Sequence, residues 1–448
     1  MSVTLASVPR YDPDAVPAVG GHAVVLGGGV AGLAAARVLA DAVDRVTVVE
    51  RDPVPDEPAA RDGAPQSRQP HVLLEAGRAT LEDLCPGFGE RVVAGGGLVI
   101  DWTTDLVHYE QGDFLASGPT PETMYAASRP LFEHALRERV TARDAVTIED
   151  DCRFVDYLAD GDRITGVAVR RSDGARATVD ADLVVDATGR TTPTPEWLAD
   201  HGYPTPPVED VRVDVTYATT VVERPPDDRR GLFVPPTPPA TRGGGAFPVE
   251  GDRWLVTLQG VHGDDPPTDP GGFRAFADSL PIPHVADVLD EQAWLSDEVR
   301  AYPFPSNRRR RYEALDALPD GLVVLGDALA SFNPVYGQGM SVAALEALCL
   351  HHCLADGLDG VADRFFDRAS DVVDPAWLLA TASDLARPQT DGSLSPAERA
   401  FDWYLSRLVD RAADDGELAS AYGSVLTMEE PPRSLLRPRV AARVLAPW

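Results

Sequence analysis

The chain has 448 residues, with 40 lysines and arginines against 71 aspartates and glutamates, for a net charge of −31. That balance argues against direct nucleic-acid binding, and no apolar run reaches the roughly 20 residues needed to cross a bilayer. A chain this long exceeds what one hydrophobic core comfortably serves, so two intimately joined domains are expected.

All 40 basic residues are arginine, because the sequence contains no lysine. The acids are spread along the whole length rather than gathered into a tail. A GC-rich genome would explain the missing lysine but not the acid excess. An evenly acidic globular surface fits a salt-rich cytoplasm, where screening makes dense carboxylates tolerable. The expectation is a halophilic, archaeal source. Residues 1–18 lack a basic start followed by an apolar stretch, so a cytoplasmic location is expected.

In chain order, residues 1–18 are polar and proline-containing, an extension expected to lie over the surface. From His22 the pattern sharpens. His22 to Leu26 is a β-rich apolar run, Gly27 to Gly32 a glycine turn, Leu33 to Ala42 a helix and Arg45 to Glu50 a second strand. Together they form one βαβ unit. Residues 53–70 read as a loop, followed by a helix at Leu73 to Leu84, strands at Gly97 to Trp102 and Leu106 to Tyr109, and a helix over Ser128 to Arg143. Strands are expected at Val146 to Glu149, Arg153 to Ala159, Arg163 to Arg170 and Asp182 to Asp186.

Prolines cluster between Pro204 and Pro239, and the β-type segments Val211 to Val222 and Arg253 to Gly260 belong to a different, sheet-rich texture. The α/β style returns with a strand at Leu322 to Leu325 and a helix at Ser341 to Leu354. Val361 to Met428 is mainly helical.

Four cysteines, Cys85, Cys152, Cys349 and Cys353, are too few and too scattered for a disulfide framework. Cys349, His351, His352 and Cys353 match no standard zinc spacing and read as buried thiols beside a satisfied core histidine, so no metal is expected. The run Arg308 to Arg311 reads as a solvated strand face paired with carboxylates, alternate side chains pointing apart; an anion site is the competing reading. The tail Arg433 to Trp448 is basic and apolar. Docking on the body is the favoured reading, and peripheral contact with a membrane surface stays open.

Gly27-Gly28-Gly29-Val30-Ala31-Gly32 fits G-x-G-x-x-G between a strand and a helix. The first glycine permits the tight turn, the second lets backbone approach a pyrophosphate, and the third lets helix and strand pack closely. Glu50 ends the next strand 18 residues after Gly32, where an acid accepts hydrogen bonds from a ribose diol. The motif does not choose among dinucleotides. Two further segments bear on that choice. Ala181 to Arg190 is a buried strand ending in a small-residue turn with Asp186 and Gly189. Gly321 to Ala328 is a strand ending in Gly326-Asp327, followed by Asn333-Pro334-Val335-Tyr336-Gly337-Gln338-Gly339-Met340-Ser341 and a helix.

These three segments, in this order and spacing, resemble the class A flavoprotein monooxygenases, the group containing p-hydroxybenzoate hydroxylase and squalene epoxidase. Gln66 to Leu74, Leu81 to Gly87, Ser128 to Leu131 and Phe332 to Met340 are similar to the branch holding the polyether-pathway epoxidases and many uncharacterised hydroxylases. The resemblance covers roughly residues 20–355.

It implies a Rossmann-like α/β FAD-binding domain from residues 20–204 and 306–360, a mixed β-sheet substrate domain at 205–305, and a helical C-terminal region at 361–448. It also implies that Asp327 holds a flavin ribityl hydroxyl, and that Gly337, Gln338, Gly339 and Met340 bring N–H groups to the flavin N1–C2 edge. The remaining implied FAD contacts are Gly27, Gly29, Val30, Ala31, Gly32, Glu50, Arg51, Arg68, Arg129, Asp186, Gly189, Gly326 and Pro334. His71 is more simply structural.

The activity implied is monooxygenation, as hydroxylase or epoxidase, of an apolar small molecule through a flavin C4a-hydroperoxide. NAD(P)H would be a transient co-substrate, and no catalytic residue is assigned beyond the flavin. The oligomeric state is open. A reductase of isoprenoid double bonds resembling the geranylgeranyl reductases is the first rival, although their aromatic-proline motif is absent. A non-catalytic FAD binder is the second.

Overall fold

The computed structural model describes residues 8–119 and 122–447. Its first unit is the expected βαβ: β1 (Gly20–Leu26), α1 (Val30–Leu39) and β2 (Val43–Val49). Ser128 caps α2 (Arg129–Thr141), its hydroxyl accepting from the Leu131 N–H at 3.3 Å. Then come β3 (Val146–Glu149) and β4 (Leu183–Asp186). Among the described residues, five parallel strands form one sheet in the order Leu322–Val324, β4, β1, β2, β3. Helices cover it, so its strands are near-continuous Val and Leu rather than alternating.

The second sheet is antiparallel in the main and larger. It is built on β5 (Val208–Glu223), β6 (Gly231–Val234), β7 (Arg242–Val249), β8 (Arg253–Val261) and β9 (Arg300–Arg310). Its order runs Ala330–Ser331, β9, β5, β8, β7, β6, Leu106–Glu110, Asp113–Phe114. Strand Leu106–Glu110 comes from early in the chain and pairs parallel with β6, tying the two units together. One face buries Ala218, Leu232, Ala246, Trp254, Val256 and Leu258 against helices Pro270–Asp278 and His284–Glu291. The prolines between Pro204 and Pro239 concealed β6, and the glycines of β7 break the alternation that marks a strand.

Helix α3 (Gly339–Leu354) packs on α1, and α4 (Val361–Leu385) packs on α3. The start of the chain lies on α3: Val8 and Val16 join the core, the Asp12 carbonyl meets His351 Nε2 at 2.9 Å and the Pro9 carbonyl meets His352 Nε2 at 2.9 Å. The first seven residues of the extension expected there lie outside the described residues. The four cysteines are buried and unpaired, and no metal-binding group of His, Cys, Asp and Glu exists among the described residues.

The arginine run departs from its expected form in one respect. Arg308 pairs with Asp210 and Arg311 with Glu209 near the surface, as a carboxylate-paired strand should. Arg309 and Arg310 are buried instead of solvated. Arg309 pairs with Asp374 and with Glu313 at 3.0 Å; Arg310 donates to the Ala328 and Arg190 carbonyls at 2.9 and 2.8 Å. Adjacent residues of β9 point to opposite faces, and both faces are covered here, by α4 over Arg309 and by the Ala328 and Arg190 backbone over Arg310. The tail docks: Leu435 and Val444 are buried among Leu408, Leu418 and Tyr422, while Trp448 lies outside the described residues. No helix among the described residues is long and apolar enough to cross a membrane.

Candidate functional site

The C-terminal ends of the parallel strands open into one cavity of about 930 Å³, closed on its far side by the second sheet. Loops at that edge of an open α/β sheet are where ligands bind, because helix N-termini and unpaired backbone converge there.

At one end the glycines do what the motif demands. Gly27 has φ +100°, and a Cβ there would stand 2.6 Å from the Ala187 carbonyl oxygen. A Cβ at Gly32 would stand 1.9 Å from the Gly27 carbonyl oxygen, so this glycine serves helix packing and does not line the cavity. At Gly29 the nearest atoms to a Cβ are Arg129 Nη2 and Glu133 Oε1, both 3.8 Å away, which leaves room for a ligand.

Glu50 lines the cavity and accepts from the Gly28 N–H at 2.7 Å. It pairs with Arg61 at 2.9 Å; Arg61 pairs with Glu133 at 3.0 Å, and Glu133 with Arg129 at 2.8 Å. Burial opposes charge on Glu133, yet Arg129 and Arg61 hold it below the usual carboxylate range. Arg61 and Glu133 carry no motif signal; only the fold brings them together. Arg51 lines the cavity too, donating to the Gly63 carbonyl at 2.6 Å.

At the other end Asp327 enters the cavity from the turn after Leu322–Val324. It lies deep within the fold but is exposed to the cavity, and its carboxylate bonds to no described residue. Burial raises its pKa while Arg129 and Arg190 act the other way. Gly326 behind it is anchored by donating to Glu346 Oε2 at 2.5 Å. Val30, Ala31, Pro334, Gly337, Gln338, Gly339 and Met340 line the same space. The first-turn N–H groups of α3, which lack intrahelical acceptors, therefore start at the cavity wall. No heavy atom outside the neighbouring chain lies within 4 Å of a Cβ built at Gly189 or Gly339.

Besides Gly32, two expected contacts sit elsewhere. Arg68 does not line the cavity; it points to Asp62 at 3.5 Å. Asp186 is fully buried and accepts from the Thr188 N–H at 2.9 Å and the Thr194 hydroxyl at 2.5 Å, shaping the Ala187–Gly189 turn from behind. His71 does line the cavity, and burial pushes it down to about 4, so it is neutral at pH 7.

The far wall went unread in the sequence. Tyr217, Phe233, Phe247, Thr257, Gln259, Tyr302 and Phe304 come from five strands. Period-two alternation was the one available signal, and the glycines of β7 broke it.

An unpartnered carboxylate, glycines with open space where a Cβ would stand, and a helix N-terminus facing one cavity make up the donor and acceptor set that a flavin dinucleotide requires. Residues 22–368 match the FAD binding domain family. The chain belongs to this FAD-binding family. The flavoprotein is 34% identical over 384 residues to protein Rv3254 of Mycobacterium tuberculosis, covering 82% of this chain and 80% of that one. It is 24% identical over 357 residues to squalene monooxygenase 1,1 of Brassica napus, covering 78% of this chain and 64% of the plant protein. Its fold matches a flavoprotein/dehydrogenase from Cytophaga hutchinsonii with TM-score 0.66 at 17% identity, over 94% of this chain and 96% of that one.

Proposed function

We propose that the flavoprotein is an NAD(P)H-dependent monooxygenase that hydroxylates or epoxidises an apolar small molecule. The observation that carries this reading is the continuity of the cavity. The glycine-turn end and the mainly aromatic end share one space, so a substrate on the second sheet would lie beside the bound cofactor. FAD, when bound, supplies the two-electron reduction and the activation of O₂.

The protein's part is to hold and to shield. Glu50 would take the ribose diol, Arg129 and Arg51 would offset the phosphate charge, and Asp327 would take a ribityl hydroxyl. The α3 N-terminus would offset the negative charge that a bound flavin gains on reduction. Phe233, Phe247, Phe304 and Phe332 exclude water from the substrate's side. The salt-adapted, cytoplasmic setting belongs to the same proposal and is supported by the lysine-free acid excess.

The test is to follow NAD(P)H oxidation and oxygen consumption in molar salt with a panel of apolar substrates under ¹⁸O₂. Product carrying ¹⁸O is the expected result. Saturation of an isoprenoid double bond with no oxygen uptake would replace this reading with the reductase one.

A further inference from the structure

The sheet face that closes the cavity carries one polar island. Tyr217 and Thr219 on β5 stand opposite Gln259 and Thr257 on β8. The Thr219 hydroxyl donates to Gln69 Oε1 at 2.5 Å and lies 2.9 Å from the Thr257 hydroxyl. Gln69, Thr219 and Thr257 thus satisfy one another. Gln259 does not share in this. It is 3% exposed; its Oε1 is sealed and has no hydrogen-bond partner among the described residues, and its Nε2, the amide atom open to the cavity, bonds to no described residue.

A buried amide left without partners is costly, and native structures rarely keep one unless a ligand or water completes it. The neighbouring strand keeps Gln259 uncovered. A Cβ at Gly243 would stand 2.8 Å from Gln259 Nε2 and 2.6 Å from the Val234 carbonyl oxygen, so a larger residue would press on the amide. Around the island the wall is ring against ring. Phe233 and Phe247 have centroids 6.4 Å apart, and the Arg190 guanidinium lies 5.1 Å over the Phe304 ring. That guanidinium is occupied by the Ser331 and Ser306 hydroxyls at 2.9 and 2.7 Å.

We infer that the substrate is an uncharged, ring-containing apolar molecule bearing a hydroxyl group, and that Gln259 is the specificity-determining residue that recognises this hydroxyl. A hydroxyl suits the site because it can donate to Oε1 or accept from Nε2, whichever way the amide faces. Flanking rings select a flat, apolar body by stacking and exclusion of water. The inference rests on placing the substrate at the sheet end, as proposed above.

The test uses two isosteric probes, 2-naphthol and 2-methylnaphthalene, titrated at pH 7 into the FAD-loaded protein and followed by perturbation of the flavin absorbance. The wild type is expected to bind the naphthol at least about tenfold more tightly, because a site built to hydrogen-bond a hydroxyl rejects the analogue lacking it. Gln259→Leu should reduce that ratio to about threefold or less while FAD content stays at the wild-type level. Gln259→Met, closer in shape, replaces it should the leucine variant fail to fold. Equal affinity for the two probes, no binding of the naphthol, or a preference that survives in the folded variant overturns the inference. Oxygen consumption with NAD(P)H and the panel of apolar substrates is measured separately, so a naphthol preference with no oxygen uptake across that panel would sink the monooxygenase reading and leave hydroxyl recognition standing.

Discussion

The two ends of the cavity are built from opposite chemistry. At the cofactor end Glu50, Arg61, Glu133 and Arg129 form a buried chain of ion pairs around a glycine turn. At the sheet end the wall is rings, threonines and one unsatisfied amide. The first must meet phosphate charge and let backbone approach, which only glycine and charged side chains allow. On the proposed reading the second fits a body with little charge, which any of several rings can do. Recognition of a shared cofactor is thus written in local motifs, and recognition of the substrate in long-range pairing.

The largest expected effect tests whether the ion pairs hold the cofactor end together. Glu133→Ala strips Arg129 of its carboxylate and leaves Arg61 to Glu50 and Asp52 alone, and should cost about 3 kcal/mol in urea unfolding, with loss of bound flavin. Retained stability would mean that the chain of pairs is ornamental. Next comes Asp327→Ala. Its carboxylate has no protein partner, so flavin affinity should fall by about tenfold or more while the apoprotein keeps its unfolding free energy within about 0.5 kcal/mol. Gly29→Glu should deplete flavin similarly, by setting negative charge beside the phosphates. Wild-type flavin content in both variants would overturn the assignment of this end.

A smaller effect sharpens the electrostatic contrast. Glu346, behind Gly326, is pushed up to about 8 by burial, from an ordinary value of 4.5. The native state therefore binds a proton that the unfolded chain releases between those values, so stability falls as pH rises through that window. Glu346→Gln should flatten the decline by about 1 kcal/mol or more between pH 5 and pH 8 in chemical unfolding. An unchanged slope would refute a titrating role for this carboxyl. The smallest effect lies away from both ends. Arg443→Ala removes an exposed pair with Asp415 and should shift stability by less than about 0.5 kcal/mol.

Legibility followed the same division. The βαβ unit, Glu50, the Gly326-Asp327 turn and the loop before α3 were readable, since each is contiguous and its glycines have no substitute. Arg68 was over-read, because a motif neighbour carries no direction for its side chain; in the fold it turns to Asp62. Asp186 was assigned to the right turn with the wrong task, holding threonines instead of facing the cavity. β6 and β7 were hidden by prolines and glycines, and with them Phe233 and Phe247.

By itself the sequence determined that a dinucleotide is bound and, through the later turn and loop, that it is a flavin. Those features depend on backbone conformation within a few residues. Tertiary structure alone decided that Arg61 and Glu133 complete the cofactor end and that Gln259 stands unpaired in an aromatic wall. The reason is physical: an ion pair or a pocket needs side chains brought together from distant strands, and local spacing holds no record of that pairing.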